Sequence, residues 1–258
     1  MIKFSGKKIK NLLKKIERKY HPKYQINFLN QGMINLIDVG SIGGLPSPWN
    51  THANCINFLL NFEPNEAIQK GKNFMTYNTA LWESEETLPF YIYKGFNATG
   101  SSLFQQNYEY VQNNWEILSL QGPKELAETW FERSELVETK TLKCRSLDQI
   151  INAEFSLKTF HFLKIDAQGA EYNILKGASE FLSKSCVGLH LELFVIPLYK
   201  EIALLTEVES YLNNFGFKLI KKFPPHGTFN SQHDCIFINE SRNPQIASKI
   251  RKIYQIDH

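Results

Sequence analysis

The sequence predicts an α/β domain, a mostly parallel β-sheet with helices on both faces. Three observations point there. Strand-length apolar runs alternate with helical ones through most of the chain. The run Met33–Val39 leads straight into the glycine loop Gly40-Ser-Ile-Gly43-Gly44. The run Phe160–Ile165 reads as a buried strand that stops at Asp166, just before a helical segment. Ligands of open α/β sheets bind at such carboxyl-terminal strand ends.

The bulk composition fits this class. The 258 residues are 43% apolar and 21% charged, enough for a sizeable core and against long disorder. Cys55, Cys144, Cys186 and Cys235 lie far apart, with no ligand spacing for zinc and no disulfide framework. Three of them sit in apolar runs, where a reduced thiol acts as a small hydrophobe. A reducing, cytoplasmic compartment is expected. No apolar stretch approaches the roughly 18–20 residues of a membrane span. The basic N-terminus has no apolar region behind it, so it does not read as a secretory signal.

The first element is a basic helix within residues 1–30. Nine basic residues in the first 23 face only Glu17, a net +8, so the rest of a chain of net +3 carries −5. Ile9, Leu12, Leu13, Ile16 and Tyr20 recur at helical spacing. The plain reading is a docking helix with solvated lysines. The alternative is peripheral contact with an anionic surface, such as the inner face of a membrane or a glycan. Nucleic acid is not expected, because no aromatic residues are interleaved to stack bases.

The remaining elements, residues 31–258, follow in order. Strands are predicted at Met33–Val39, Cys55–Phe62 and Phe74–Asn78, with a short helix over 65–71. Pro46 and Pro48 argue against a regular helix between the first two strands. Tyr91–Tyr93 reads as a strand, and Gly95–Ser102 as a polar loop. An irregular insertion is expected at about 85–136, near the substrate side. Val137–Cys144 alternates as a strand does, and Ser146 is placed to cap a short helix. Ala170–Leu182 reads as one helix, Val187–Val195 as a strand and Tyr199–Phe215 as an amphipathic helix stopped by Gly216. Phe217–Phe223 and Cys235–Asn239 close the sheet.

Two motifs carry chemistry. The first is Asp38-Val-Gly40-Ser41-Ile-Gly43-Gly44 after strand one, with Glu63-Pro64 at the tip of strand two. Glycines let the backbone approach a ligand closely, and an acid about 20 residues on can accept ribose hydroxyls. The spacing from Asp38 to Glu63 is 25 residues. Asp38 stands where a dinucleotide fingerprint has its first glycine. An acid there suits a cationic ligand better than a pyrophosphate, which favours S-adenosylmethionine over a nicotinamide cofactor. The second motif runs from Leu163-Lys-Ile-Asp166 through Gly169-Ala-Glu171 to Leu175-Lys-Gly177-Ala178. Asp166 and Glu171 there serve either a ligand or only the helix N-terminus.

Together with Phe62-Glu63-Pro64, Gly100-Ser-Ser102-Leu103, Thr141-Leu, Ser146-Leu-Asp148 and Leu191-Glu192, these pieces resemble the FkbM family of methyltransferases in family order from about residue 34 to 195. The resemblance implies a Rossmann-like class I methyltransferase fold: a mostly parallel seven-stranded sheet, helices on both faces and an antiparallel last strand. It implies S-adenosylmethionine as cofactor and, commonly, O-methylation of a sugar hydroxyl in a glycan or small molecule, as in polysaccharide biosynthesis. By position, Asp38, Gly40, Ser41, Gly43, Gly44, Glu63, Pro64 and Asp166 would bind the cofactor. The chain departs from the family after Gly44, where prolines stand, and at Gln168, where an acid is common.

O-methylation needs alignment and a base for the hydroxyl proton. Asp166, Glu192 and His233 are the catalytic candidates. Alternation puts His190, Glu192 and Phe194 on one strand face, with His190 deeper and better read as a core histidine. His226, His233 and Asp234 lie in the last hairpin, which would overhang the site. Asp166, Glu192 and Asp234 could converge on Mg²⁺, but no spacing signature supports a metal. Two other readings remain: a nicotinamide-dependent Rossmann enzyme, and a non-catalytic membrane- or glycan-associated module that keeps the fold.

Overall fold

The structure is a computed structural model in which residues 32–40, 45–64, 67–95 and 99–256 are described. The basic segment 1–30 and the loop residues Ser41, Gly43 and Gly44 lie outside the described residues. The main sheet takes its strands from β1 (Ile34–Val39), β2 (Ile56–Phe62), β3 (Gln69–Lys70), β4 (Phe74–Tyr77), β8 (Phe162–Ile165), β9 (Gly188–Phe194), β10 (Lys218–Lys222) and β11 (Gln232–Ile238). Their spatial order is β10-β11-β9-β8-β1-β2-β4-β3. Adjacent strands from β9 to β4 are parallel, while β11 runs antiparallel to both β9 and β10.

The sheet therefore has eight strands where seven were expected, and it is mixed. The antiparallel strand falls where it was anticipated. The extra strand, β3, is a two-residue edge that runs antiparallel to β4 and occupies part of the segment expected to be helical. A segment that can pair with an open sheet edge satisfies its backbone without forming a helix.

Between β4 and β8 lies the insertion. β5 (Ala80–Leu81), β6 (Glu86–Tyr93) and β7 (Leu136–Arg145) form a separate three-stranded sheet. Four short helices connect β6 to β7: α1 (Tyr108–Asn113), α2 (Trp115–Leu118), α3 (Lys124–Glu128) and α4 (Trp130–Arg133). After β7, α5 (Leu147–Glu154) starts with the expected cap. Ser146 Oγ accepts from Gln149 N–H at 3.2 Å, and Gln149 Oε1 accepts from Ser146 N–H.

The segment expected as one helix over Ala170–Leu182 is two, α6 (Glu171–Lys176) and α7 (Ser179–Lys184). The break is at Gly177, whose backbone presses on the chain at Trp82. An ideal Cβ there would stand 2.1 Å from the Trp82 carbonyl oxygen. Likewise α8 covers only Leu205–Asn213, and Tyr199 instead forms an isolated bridge to Gln106. A last helix, α9 (Pro244–Ile253), was not anticipated. Its signal was present in Asn243 as N-cap, Pro244 at the first turn, and buried Ile246, Ala247, Ile250 and Ile253.

Each sheet face has its own core. Ile37 and Val39 of β1 face the side covered by α5 to α8. Ile34 and Leu36 face Trp49, Phe162, Ile236 and α9. All four cysteines are buried and unbridged. Among the described residues, no helix is long and apolar enough to cross a membrane. Replacing Gly177 with alanine forces two backbones apart and is expected to cost about 1–3 kcal/mol. Urea unfolding at neutral pH measures this, and an unchanged midpoint would contradict the close approach.

Candidate active site

Strand register puts polar side chains in rows across one sheet face. Asp38 of β1 is in register with Lys164 of β8, Lys164 with His190 of β9, and Glu192 with Asp234 of β11. Asp166 follows Lys164 by two residues and so projects from the same face. Asp38 is 0% exposed, and its Oδ1 lies 3.9 Å from Lys164 Nζ. The same ammonium is 3.6 Å from Asp166 Oδ2. Burial pulls the Lys164 ammonium down, but Asp38, Asp166, Glu192 and Asp234 outweigh it and leave it above the ordinary lysine value.

The strand tips are locked by backbone contacts. Gly40 has φ +80°, and an ideal Cβ on it would lie 1.9 Å from the Asp166 carbonyl oxygen. Only glycine permits that approach. Gly40 N–H donates to the Phe62 carbonyl at 3.0 Å, and Glu63 N–H donates to that of Tyr77 at 3.0 Å. Asn78 Nδ2 donates to the Pro64 carbonyl at 2.7 Å. Gly40, Glu63 and Asp166 thus stand side by side at the carboxyl ends of β1, β2 and β8.

The turn after Asp166 is held from several directions. Glu171 accepts from Ala167 N–H at 2.8 Å and from Gly169 N–H at 2.9 Å. It is buried, and burial pushes its carboxyl up to about 7 against those backbone bonds. Its role is to close the turn. Ser102 Oγ donates to the Gln168 carbonyl at 2.7 Å, which ties the insertion to the same turn. Gln168 itself sits at φ +51°. Its Nε2 donates to Asp166 Oδ1 at 3.1 Å and to Glu192 Oε2 at 3.0 Å. Gln232 Nε2 donates to the same Glu192 oxygen at 2.6 Å. Burial, and then the charge of Asp166, push the Glu192 carboxyl well up. One proton between two acids is the expected outcome of such crowding.

His190 is a satisfied buried histidine, as its depth in the strand implies. Trp49 Nε1 donates to Tyr254 Oη at 2.9 Å, which leaves the phenol hydrogen for His190 Nδ1 at 3.0 Å. A neutral imidazole then carries its proton on Nε2 and donates to Asp234 Oδ1 at 2.8 Å. Burial raises the Asp234 carboxyl, but His190, His226 and Lys164 outweigh it and hold it below the ordinary value. His226 Nε2 lies 3.3 Å from Asp234 Oδ2 and 3.8 Å from Glu192 Oε1. His233 is not brought to this cluster. It is in register with Leu193, on the opposite sheet face from Asp234, and its Nδ1 contacts the Phe223 carbonyl at 2.7 Å. Alternation alone separates it from the two acids beside it. Among the described residues, no group of three or more His, Cys, Asp or Glu side chains is arranged to hold a metal ion.

Beyond Gln168 and Gln232 a cavity of about 210 Å³ opens between the main sheet and the insertion. Phe194, Tyr199, Trp130 and Arg133 form much of its wall. Tyr199 Oη donates to the Gly100 carbonyl at 2.8 Å and lies 3.2 Å from Gln168 Oε1. Sequence reasoning gave no role to Lys164, Ser102, Tyr199, Gln232 or Arg133. A signal existed for Lys164, a charge inside a buried strand two residues before an acid.

A family model described as the methyltransferase FkbM domain matches residues 49–219, about two thirds of the chain. No protein of curated function matches. Among solved structures, the methyltransferase FkbM of Methylobacillus flagellatus KT is similar at 12% identity and a TM-score of 0.45. The match covers 84% of this chain and 50% of that one, so this chain spans about half the length of that relative.

The Glu171 carboxyl gives a pH test. Its folded pKa of about 7 lies above the ordinary 4.5, so the folded state keeps a proton that the unfolded state has released. Stability from this group is present at low pH and falls as pH rises through that window. The stability of the wild type relative to Glu171→Gln is expected to decline between about pH 5 and pH 7 in paired urea titrations. A flat difference would show that Glu171 is ionised throughout.

Proposed function

The chain belongs to the FkbM methyltransferase-domain family, and from that premise we propose that it moves a methyl group from S-adenosylmethionine to a sugar hydroxyl. The acceptor is a sugar in a glycan or in a small molecule. The observation that carries this reading is the acidic carboxyl edge of the sheet, where Asp166 and Glu192 are joined through Gln168 beside Gly40 and Glu63. That donor set fits a sulfonium cofactor: acids attract a cation, and the same edge would repel the pyrophosphate of a nicotinamide dinucleotide. Glu63, at the tip of β2, would accept the ribose hydroxyls. Gly40 and Pro64 would shape the adjoining backbone, with Ser41, Gly43 and Gly44 continuing the loop.

Bound there, S-adenosylmethionine supplies an already activated methyl group. The protein's share is alignment and proton handling. Asp166 would take the proton from the acceptor hydroxyl as that oxygen displaces the methyl carbon from the sulfonium sulfur, which leaves as the thioether of S-adenosylhomocysteine. Glu192, whose carboxyl is pushed up by burial and then by the charge of Asp166, keeps its proton and is tied to Asp166 through the shared Gln168 amide. Phe194 and Tyr199 are buried and keep water from the cavity side. The basic segment 1–23, with its net +8, would hold the enzyme at an anionic surface in the cytoplasm.

Calorimetry with S-adenosylhomocysteine tests the cofactor assignment. Glu63→Ala is expected to weaken binding roughly ten- to a hundredfold, the loss of charge-assisted bonds to a ribose diol. Absence of binding by both S-adenosylmethionine and its demethylated product in the wild type would sink the proposal. Asp166→Asn is expected to lower kcat by about a hundredfold or more, as loss of a general base does. An Asp166→Asn enzyme with wild-type kcat would remove that residue from the chemistry.

A further inference from the structure

The cavity beyond the carboxylate row differs from the row in charge. Among the described residues that line it, Arg133 is the one charged side chain, and no Asp or Glu is present. Arg133 makes three hydrogen bonds, all to neutral oxygens: Nε to Thr129 Oγ1 at 3.0 Å, and one terminal nitrogen to the Leu126 carbonyl at 2.8 Å and to Thr228 Oγ1 at 3.0 Å. No carboxylate among the described residues forms an ion pair with it. Burial pulls its guanidinium below the ordinary value. A half-buried cation without a counter-ion is costly unless something else supplies the charge.

Unpartnered polar groups surround the same space. Ser134 and Ser231 are 1% and 0% exposed, and neither hydroxyl has a hydrogen-bond partner in the protein. Gln106 Oε1 is likewise buried without a partner. All three residues line the cavity. Buried hydroxyls are normally bonded, so two orphans beside an uncompensated arginine point to a missing ligand. On the opposite side of the cavity, Gln168 and Gln232 reach Glu192 and so connect it to the acids.

We propose that the acceptor is an anion: the molecule that offers the hydroxyl also carries a carboxylate or a phosphate, which Arg133 binds with help from Ser134 and Ser231. A guanidinium fork matches either group in two-point fashion. The proposal rests on reading this cavity as the acceptor site of the methyltransferase. The anion would be held at the insertion side while its hydroxyl approaches Asp166. Placing the negative group there also keeps it away from the acidic row, which would reject it.

The test uses the full chain and three probes of one ring type: methyl glucoside, glucuronate and glucose 6-phosphate. Binding is followed by calorimetry in the presence and absence of S-adenosylhomocysteine. At least one of the two anions is expected to bind about tenfold or more tightly than the neutral sugar, and which one wins distinguishes carboxylate from phosphate. Arg133→Gln should erase that preference, and Arg133→Lys should keep part of it. Because Arg133 also ties Leu126 to Thr228, Ser231→Ala serves as the second variant. It removes a hydroxyl that bonds nothing in the protein, so it should leave stability unchanged while weakening anion binding severalfold. Equal binding of all three sugars, no saturable binding of either anion at millimolar concentration, or a preference that survives both Arg133→Gln and Ser231→Ala would overturn the proposal. Failure of S-adenosylhomocysteine to bind while the anion preference stands would overturn the methyltransferase reading alone.

Discussion

The Lys164 ammonium is the charge on which this sheet edge is built. A lysine in the middle of a central strand is expensive to desolvate, and a partner on the neighbouring strand is what normally retains it. Here parallel register supplies Asp38 on one side, and the next residue outward on its own face supplies Asp166. Lys164 therefore sits among four acids, Asp38, Asp166, Glu192 and Asp234, and stays protonated despite its burial. His190 and His226 lie against Asp234. The balance of that face remains negative. Glu192 responds by holding a proton: burial, and then the charge of Asp166, push its carboxyl well up. A site in that state is favourable for an incoming cation and unfavourable for a nucleotide diphosphate.

The two glutamines mark where this acidic region ends. A carboxamide can donate to two carboxylates at once, which a third carboxylate cannot do without taking up a proton. Gln168 does this between Asp166 and Glu192, and Gln232 adds a second donor to Glu192. With an acid at position 168 the row would carry a further charge, and its pairing would have to come from a proton or a cation. The glutamine holds the two acids together without adding that charge. It also presents its side-chain oxygen to Tyr199, on the cavity side, so one residue separates two environments of opposite charge.

Much of the parallel sheet was legible because buried strands announce themselves. Ile34–Val39, Ile56–Phe62 and Gly188–Phe194 are short apolar runs, and each was placed to within a residue or two of its observed ends. Glu63 and Asp166 sit at strand tips because the chain reads strand, acid, turn in both cases, while Asp38 is the last polar residue inside its strand. What escaped was set by contacts distant in sequence. Gly177 breaks a helix because the Trp82 backbone needs the room, which no local pattern records. Tyr199 belongs to a loop because it bridges to Gln106 on the insertion. His233 is turned away because the two-residue period of a strand puts it on the opposite face from Asp234.

The insertion was the least legible part for a related reason. Its helices are four to six residues long, too short to show a period or to be stable alone. They are held by an aromatic cluster in which Trp115 and Trp130 pack against Phe229, at centroid distances of 6.1 and 6.0 Å. Phe229 belongs to the β10–β11 connection and has φ +62°, a conformation that costs of order 1–3 kcal/mol in a bulky residue. Its complete burial offsets that cost, since a fully buried phenylalanine contributes a similar amount. Holding Phe229 there also sets Thr228, its neighbour, against the Arg133 guanidinium. The Arg133 guanidinium is thus positioned jointly by an insertion helix and by a hairpin almost a hundred residues further along the chain. Its charge environment is a property of that junction, and neither segment taken separately contains it.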